Sequence, residues 1–339
     1  MNVGFRVDAS SDIGIGHLIR CLALSEELTK RGYDCNIFSK IENEELISRI
    51  FKNKINFQKI KPKATLEEDK NTVIKFSNEN DIDWIITDHY GLSSEYIKEL
   101  KKNNFKVLSI DDTAQIHYYS DIILNQNIGS EKLKFSTEKY TKFLLGPKYV
   151  MIRNQLLRRD EKIEKNTVEK ILITLGGTDE DNLTLEIIKM LEDINDKIEF
   201  LVLIGPLNPY ENNIREYIND KGLKIKLIKS PKDISNLYLE SDIAISAGGS
   251  SCYELAYFGI PNIIITIADN QLNIAKELDR EKISIYLGLK NEIKKEKLQN
   301  KVKELINNHL LRKTISKNGK KLVDGKGKER IVSFMERLN

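Results

Sequence analysis

Cysteine is scarce. Three occur in 339 residues, Cys21, Cys35 and Cys252. The number is odd and the spacings fit no zinc or thiol-redox motif, which leaves no basis for a disulfide framework. Such usage fits a reducing compartment with inert thiols, so a cytoplasmic protein is expected. Long apolar runs are missing too. None approaches the ~20 residues of a membrane span, and no stable membrane insertion is expected. Arg6 and Asp8 interrupt the first apolar stretch, unlike a signal peptide. Charge of one sign is not in excess: the formal net charge is +3, too little to argue for nucleic acid. Lysines crowd Lys294-Lys295-Glu296-Lys297 and Lys317 to Lys328, but the acids among them describe a solvated helical face. No fixed-period repeat stands out. No cluster of carboxylates has metal-ligand spacing, so neither a metal nor another cofactor is expected.

What is present is an ordinary globular balance, 40% hydrophobic and 31% charged, in a chain long enough for two α/β domains. Strands are predicted at Val3–Val7, Asp34–Ser39, Trp84–Thr87, Lys106–Ile110 and Asp121–Leu124, with helices over Leu18–Lys30 and Ser94–Lys102. Residues 40–80 alternate charged and apolar groups in helical fashion and carry no recognisable chemistry. Gly146-Pro147 breaks structure, and the charged run Arg158 to Asn166 reads as a linker. A second series of strands follows, at Lys170–Leu175, Glu199–Ile204, Lys224–Ile228, Asp242–Ser246, Asn262–Ile267 and Ile283–Leu287, separated by helical stretches. Alternating βα units argue for parallel sheets covered on both faces. The expectation is two doubly wound, Rossmann-like α/β domains facing a cleft. Their bounds are 1–150 and 169–339, with a linker at 151–168 and basic C-terminal helices closing the second.

The chemistry concentrates where strands end. After the first strand, Gly14-Ile15-Gly16-His17 delivers a histidine to the first turn of a helix. The helix start suits an anion and disfavours imidazolium, so His17 is expected neutral and able to take a proton. A plain βα turn with a satisfied histidine is the competing reading. Asp88, His89 and Tyr90 end the strand at Trp84–Thr87 and are expected to touch ligand there, with His89 and Tyr90 facing the same cleft as His17. Packing and turn capping are the alternative. Asp111-Asp112 suits positioning or capping better than a metal. In the second half, Gly248, Gly249, Ser250 and Ser251 join a strand to a helix, a cradle for a diphosphate. Glu254 follows one turn later, in reach of ribose hydroxyls. Gly177, Thr178 and Asn182 form the partner loop toward phosphate or sugar, with Asp179 as a cap in the plainer reading. Asn270 and Gln271 place two amides at a strand end, suited to hydroxyl and acetamido groups or to helix capping.

Together these motifs resemble a known family. Arg6-x-Asp8, Ile13-Gly14-x-Gly16-His17-x-x-Arg20, Thr87 to Gly91, Gly176 to Asp179, Ser246 to Glu254 and Asp269-Asn270-Gln271 keep their order along nearly the whole chain. They look like the UDP-sugar hydrolases of pseudaminic acid biosynthesis, which remove UDP from UDP-2,4-diacetamido-2,4,6-trideoxy-β-L-altropyranose. That family is similar in fold to GT-B glycosyltransferases, whose C-terminal domain holds the nucleotide. The resemblance implies His17 as the base that activates water, Glu254 on the ribose, Gly248 to Ser251 on the diphosphate, and Asn270 with Tyr90 near the sugar. Asp324 to Arg330 resembles the ending of longer relatives in spore-coat and surface-polysaccharide pathways.

Elementary chemistry agrees with hydrolysis. UDP leaves as a stable anion, so the carboxylic acid of an ordinary glycosidase is dispensable. One base acting on water then suffices, and attack at C1 inverts the anomer. A UDP-sugar glycosyltransferase is the alternative, with His17 deprotonating an acceptor hydroxyl. A nucleotide-sugar-binding module is the third possibility. The expected partner is a UDP-sugar, and the expected assembly is a monomer.

Overall fold

The computed structural model describes residues 1–11, 13–157, 165–179, 181–194, 197–231 and 233–338. It divides into two compact units, Met1–Arg153 with Lys326–Asn339, and Asn154–Gly325.

The first unit carries β1 (Asn2–Val7), α1 (Gly16–Lys30), β2 (Asp34–Ser39), α2 (Glu44–Lys52), β3 (Asn56–Lys59), α3 (Leu66–Glu79), β4 (Trp84–Asp88), α4 (Ser94–Lys102) and β5 (Lys106–Ile110). It continues through β6 (His117–Tyr118), β7 (Ile122–Asn125), β8 (Ser136–Thr137) and β9 (Lys142–Leu145). The main sheet is parallel, in the order β3-β2-β1-β4-β5-β7-β9. Its strands read as unbroken apolar runs because helices cover both faces. Phe38, Ile85, Val107, Ile97 and Leu100 sit in one core cluster.

The second unit holds β10 (Lys170–Thr174), α5 (Leu183–Leu191), β11 (Glu199–Ile204), α6 (Glu211–Lys221), β12 (Ile225–Lys229), α7 (Ser235–Glu240), β13 (Ile243–Ala247) and α8 (Ser251–Phe258). β14 (Asn262–Thr266), α9 (Leu272–Arg280), β15 (Ile285–Leu289), α10 (Lys295–Asn307) and α11 (His309–Leu322) complete it. Its parallel sheet runs β12-β11-β10-β13-β14-β15. Ile171, Ile173, Val202, Ile243 and Ile245 line the core.

Both sheets reverse their winding once, at β1/β4 in the first unit and at β10/β13 in the second. Ligands of open α/β sheets bind outside the carboxyl ends of strands at such a reversal. The histidine loop and the Asp88 turn flank the first reversal. The loops after β10 and β13, with the two glycine pairs, flank the second.

Two expectations need correction. The C-terminal helix α12 (Gly327–Leu338) packs with the first unit, not the second. Its Lys328 amine is buried on Glu26 at 3.0 Å, and Glu336 takes Arg31 at 2.7 Å and the Tyr33 hydroxyl at 2.8 Å. Helical periodicity shows that a face is buried but not which core buries it. Residues 40–80 also carry more than solvated helix: Asp69 on α3 is fully buried and polar. Of the expected linker, residues 158–164 lie outside the described residues.

Candidate functional site

In the first unit the site grows from the carboxyl end of β1. Gly14 adopts a left-handed backbone (φ 78°) and its N–H returns to the Ser10 carbonyl at 2.9 Å, closing a tight turn. A Cβ would be strained there. The chain then enters α1 at exposed Gly16, with His17 buried one residue on. Apart from its chain neighbours and the adjoining helix backbone, no atom of the described residues stands within 4 Å of where a Gly16 side chain would begin.

His17 meets Asp88, at the end of β4, with Nδ1 2.6 Å from Oδ1. Two lone pairs would repel at that distance, so a proton lies between them and Nδ1 donates. In the neutral ring Nε2 then carries the lone pair. Asp88 is 1% exposed. Arg20, one turn along α1, donates Nε to Oδ2 and an NH2 proton to Oδ1, each at 2.6 Å. Burial alone would raise the Asp88 carboxyl. The Arg20 guanidinium, then His17, overcomes this and holds it well below the usual carboxylate range. Asp88 was expected to touch ligand; the structure spends both its oxygens inside the protein.

Tyr90 packs edge-on against the His17 ring, centroids 4.7 Å apart, and its hydroxyl donates to Asp112 at 2.9 Å. It is 46% exposed. His89 does not join this group. Its Nδ1 accepts the Gly91 N–H at 2.8 Å and its Nε2 lies 3.1 Å from Asp8. Both ring nitrogens hold the turn, so its expected ligand role is corrected to a structural one. Asp111 caps its own turn through the N–H groups of Thr113 and Ala114. Among the described residues, no three His, Cys, Asp or Glu side chains form a metal-binding group.

Behind the loop lies a buried ionic cluster. Arg6 donates to Asp69 through Nε at 2.9 Å and NH2 at 2.6 Å, and to Asp8 at 2.8 Å. The Tyr96 hydroxyl also reaches Asp69, at 2.9 Å. Burial works against the charged forms, but His89 and Arg6 hold the Asp8 carboxyl well below its ordinary value.

In the second unit, Gly177 and Thr178 follow β10. Asp179 is buried in a left-handed conformation and accepts the N–H groups of Leu183 at 2.8 Å and Thr184 at 3.2 Å. It caps α5, as the plainer reading has it. Burial raises its carboxyl despite these bonds. Asn182 precedes α5, also left-handed, and its amide oxygen is buried without a donor among the described residues. The loop depends on Gly205 and Asn208, which belong to no motif of the sequence. The Gly177 carbonyl accepts the Leu207 N–H at 3.2 Å, and Asn208 donates to Asp179 at 3.2 Å. A Cβ on Gly205 would overlap the Gly177 backbone. Gly205→Ala is therefore expected to cost on the order of 2–3 kcal/mol of stability, which chemical denaturation checks.

The β13–α8 loop presents Gly248, Gly249, Ser250 and Ser251 ahead of a helix whose N-cap Ser250 makes no side-chain capping bond. In its first turn the Cys252 N–H returns to the Gly249 carbonyl and the Tyr253 N–H to the Ser250 carbonyl, each at 3.1 Å. Glu254 is only 4% exposed, and its Oε2 accepts the Tyr238 hydroxyl at 2.9 Å. The Gln271 amide oxygen accepts the N–H groups of Gly248 and Ile267, both at 3.1 Å. That carbonyl is a strut between the glycine pair and the end of β14, not a sugar acceptor. Asn270 lies exposed on the short turn Asp269–Gln271.

Residues 170–331 match the glycosyltransferase family 28 C-terminal domain. The chain is 27% identical over 346 residues to the spore coat polysaccharide biosynthesis protein SpsG of Bacillus subtilis, covering 100% of this chain and 98% of that protein. It is 26% identical over 245 residues to the UDP-2,4-diacetamido-2,4,6-trideoxy-beta-L-altropyranose hydrolase of Campylobacter jejuni, covering 68% of this chain and 83% of that one. The crystal structure of Acinetobacter baumannii MurG superposes with a TM-score of 0.72 at 12% identity, over 99% of each chain. That likeness establishes the fold, two Rossmann-like halves of the GT-B glycosyltransferase kind. The kinship reaches proteins like family 28 without singling out the hydrolase.

Proposed function

We propose that the protein processes a UDP-sugar, and within that class that it is an inverting hydrolase. Its substrate is UDP-2,4-diacetamido-2,4,6-trideoxy-β-L-altropyranose, and its products are the free sugar and UDP. The observation that carries the proposal is the 2.6 Å contact between His17 and a buried, ionised Asp88. It leaves Nε2 as the acceptor in the first turn of α1, beside the sheet's winding reversal. Similarity to the Campylobacter jejuni hydrolase supports the substrate class, and the family 28 match over the second unit supports a nucleotide sugar.

In the proposed step, a water proton passes to His17 Nε2 while the water oxygen bonds to C1. The bond from C1 to the β-phosphate oxygen breaks, and its electron pair leaves with UDP. Tyr90 borders the sugar. In the second unit, the Gly248–Ser251 loop holds the diphosphate, Gly177, Thr178 and Asn182 border it, and Asn270 contacts the sugar. Glu254 holds the ribose. Glu254→Ala is expected to raise KM several-fold with a smaller fall in kcat, as for uniform binding. Unchanged kinetics would assign this carboxylate to packing against Tyr238.

The second reading, a UDP-sugar glycosyltransferase of surface polysaccharide synthesis, draws on the family 28 match and the MurG-like fold. Here His17 deprotonates an acceptor hydroxyl. Incubation with a UDP-sugar panel, without any acceptor, separates the two. The hydrolase releases UDP and free sugar in equal amounts over many turnovers. UDP release that waits for an added sugar or lipid-linked acceptor would replace the hydrolase with the transferase.

A further inference from the structure

Resting on the reading of His17 as base, we infer that Arg20, anchored by Asp112, is the positioning residue that keeps His17 in its proton-accepting form. Arg20 is 7% exposed. Its fork is fully committed: Nε and NH2 to Asp88, and NH1 to Asp112 at 2.9 and 3.2 Å. Asp112 also accepts from Asn127 at 2.7 Å and from the Tyr90 hydroxyl at 2.9 Å. Tyr90 in turn packs on the His17 ring, which closes a circuit through His17, Asp88, Arg20, Asp112 and Tyr90. Each nitrogen of the fork meets a carboxylate, so its influence passes through Asp88 and His17.

Geometry assigns two jobs to the guanidinium. It offers protons to both oxygens of Asp88, so the carboxylate cannot rotate away from Nδ1. It also stands 3.1 Å from that same Nδ1. Arg has no lone pair to accept with, and Nδ1 already donates to Asp88, so this is cation against N–H. Asp88 alone would draw a second proton onto the ring and form an ion pair. The nearby guanidinium opposes that proton at close range and low dielectric. Among the described residues, Asp88, Arg20 and Tyr90 stand against the ring, with Asp112 behind them. The carboxylate orients the histidine, and the guanidinium holds the carboxylate while standing against the ring's N–H. Cys21 lies against Asp88 as well, at 3.5 Å, but burial raises its thiol, which stays uncharged.

The test is nitrogen-15 NMR of the His17 ring in the ligand-free protein at pH 7, beside steady-state kinetics. Arg20→Met is expected to raise the imidazolium fraction of His17. It should lower kcat on the order of 10- to 100-fold, the range seen when a partner orienting a histidine is lost, with KM within about threefold. Asp112→Asn keeps the Arg20–Asp88 pair and should give the same ring signature in weaker form, which covers the case in which the Arg20 variant does not fold. Arg20→Lys, which keeps the charge but not the fork, should restore the ring signature and only part of kcat. Unchanged ring signals in a destabilised Arg20→Met or Asp112→Asn protein would overturn the inference and leave Arg20 a structural counter-ion. The NMR part needs no substrate. A wild-type protein that releases no UDP would therefore refute the hydrolase reading without touching this result.

Discussion

Asp88→Asn is expected to lower kcat on the order of 10³-fold while UDP binding stays near its original strength. Arg20 donates to both Asp88 oxygens, and His17 donates to one of them. An asparagine offers one acceptor and one donor in that place. If its oxygen faces Arg20 Nε, its NH2 meets His17 Nδ1, which must then become the acceptor. The ring proton moves to Nε2 and the base is lost. If the amide turns over, its NH2 meets Arg20 Nε, donor against donor. Either way the charge that steadies an imidazolium after proton transfer is gone. His17→Phe removes the base outright and is expected to abolish UDP release with UDP binding retained. Loss of UDP binding in either variant would move this pair from chemistry to scaffold. Kinetics together with calorimetric titration of UDP make the check.

The largest effect on stability is expected at Arg6. Its side chain is 1% exposed and bridges Asp8 and fully buried Asp69. Arg6→Met strands buried carboxylates, which costs about 3–5 kcal/mol. Lys40, 3.5 Å from Asp69, offsets a part. The double variant Arg6→Met with Asp69→Leu removes both charges and is expected to cost less than the sum of the singles. Urea denaturation of the four proteins makes the comparison, and additive costs would show that the contact contributes nothing of its own.

Buried carboxylates in both clusters set an acid limit. Asp8 and Asp88 are held below their ordinary value of 3.8. A depressed carboxyl contributes stability that is complete above its unfolded pKa and lost as pH falls toward the folded one. Denaturation midpoints are therefore expected to hold above about pH 5 and to drop steadily below pH 4. A flat profile down to pH 3 would remove these two groups from the stability account.

Much of this was legible in the chain, for identifiable reasons. The strand over Lys106–Ile110 and the helix over Ser94–Lys102 coincide with β5 and α4 because apolar period and turn residues agree there. The glycine turn before His17 and the glycine–serine loop before α8 were readable because turn chemistry is local. What escaped depends on distant pairing. Asp69 lies 63 residues from Arg6 and carries no motif of its own. Gly205 matters only because Gly177 comes to rest beside it. Gln271 resembles any amide at a strand end until its oxygen is found on Gly248. His89 follows Asp88 directly, yet it lies past the end of β4, and its ring joins Asp8 instead of His17.

The central claim is that His17 Nε2 directs water to the anomeric carbon. Turnover of the UDP-linked diacetamido sugar in ¹⁸O-labelled water, followed by NMR and mass spectrometry, tests it directly. The account predicts the label at C1 of the free sugar, the inverted anomer as first product, and unlabelled UDP. Label in UDP would place the cleavage at phosphorus and contradict it.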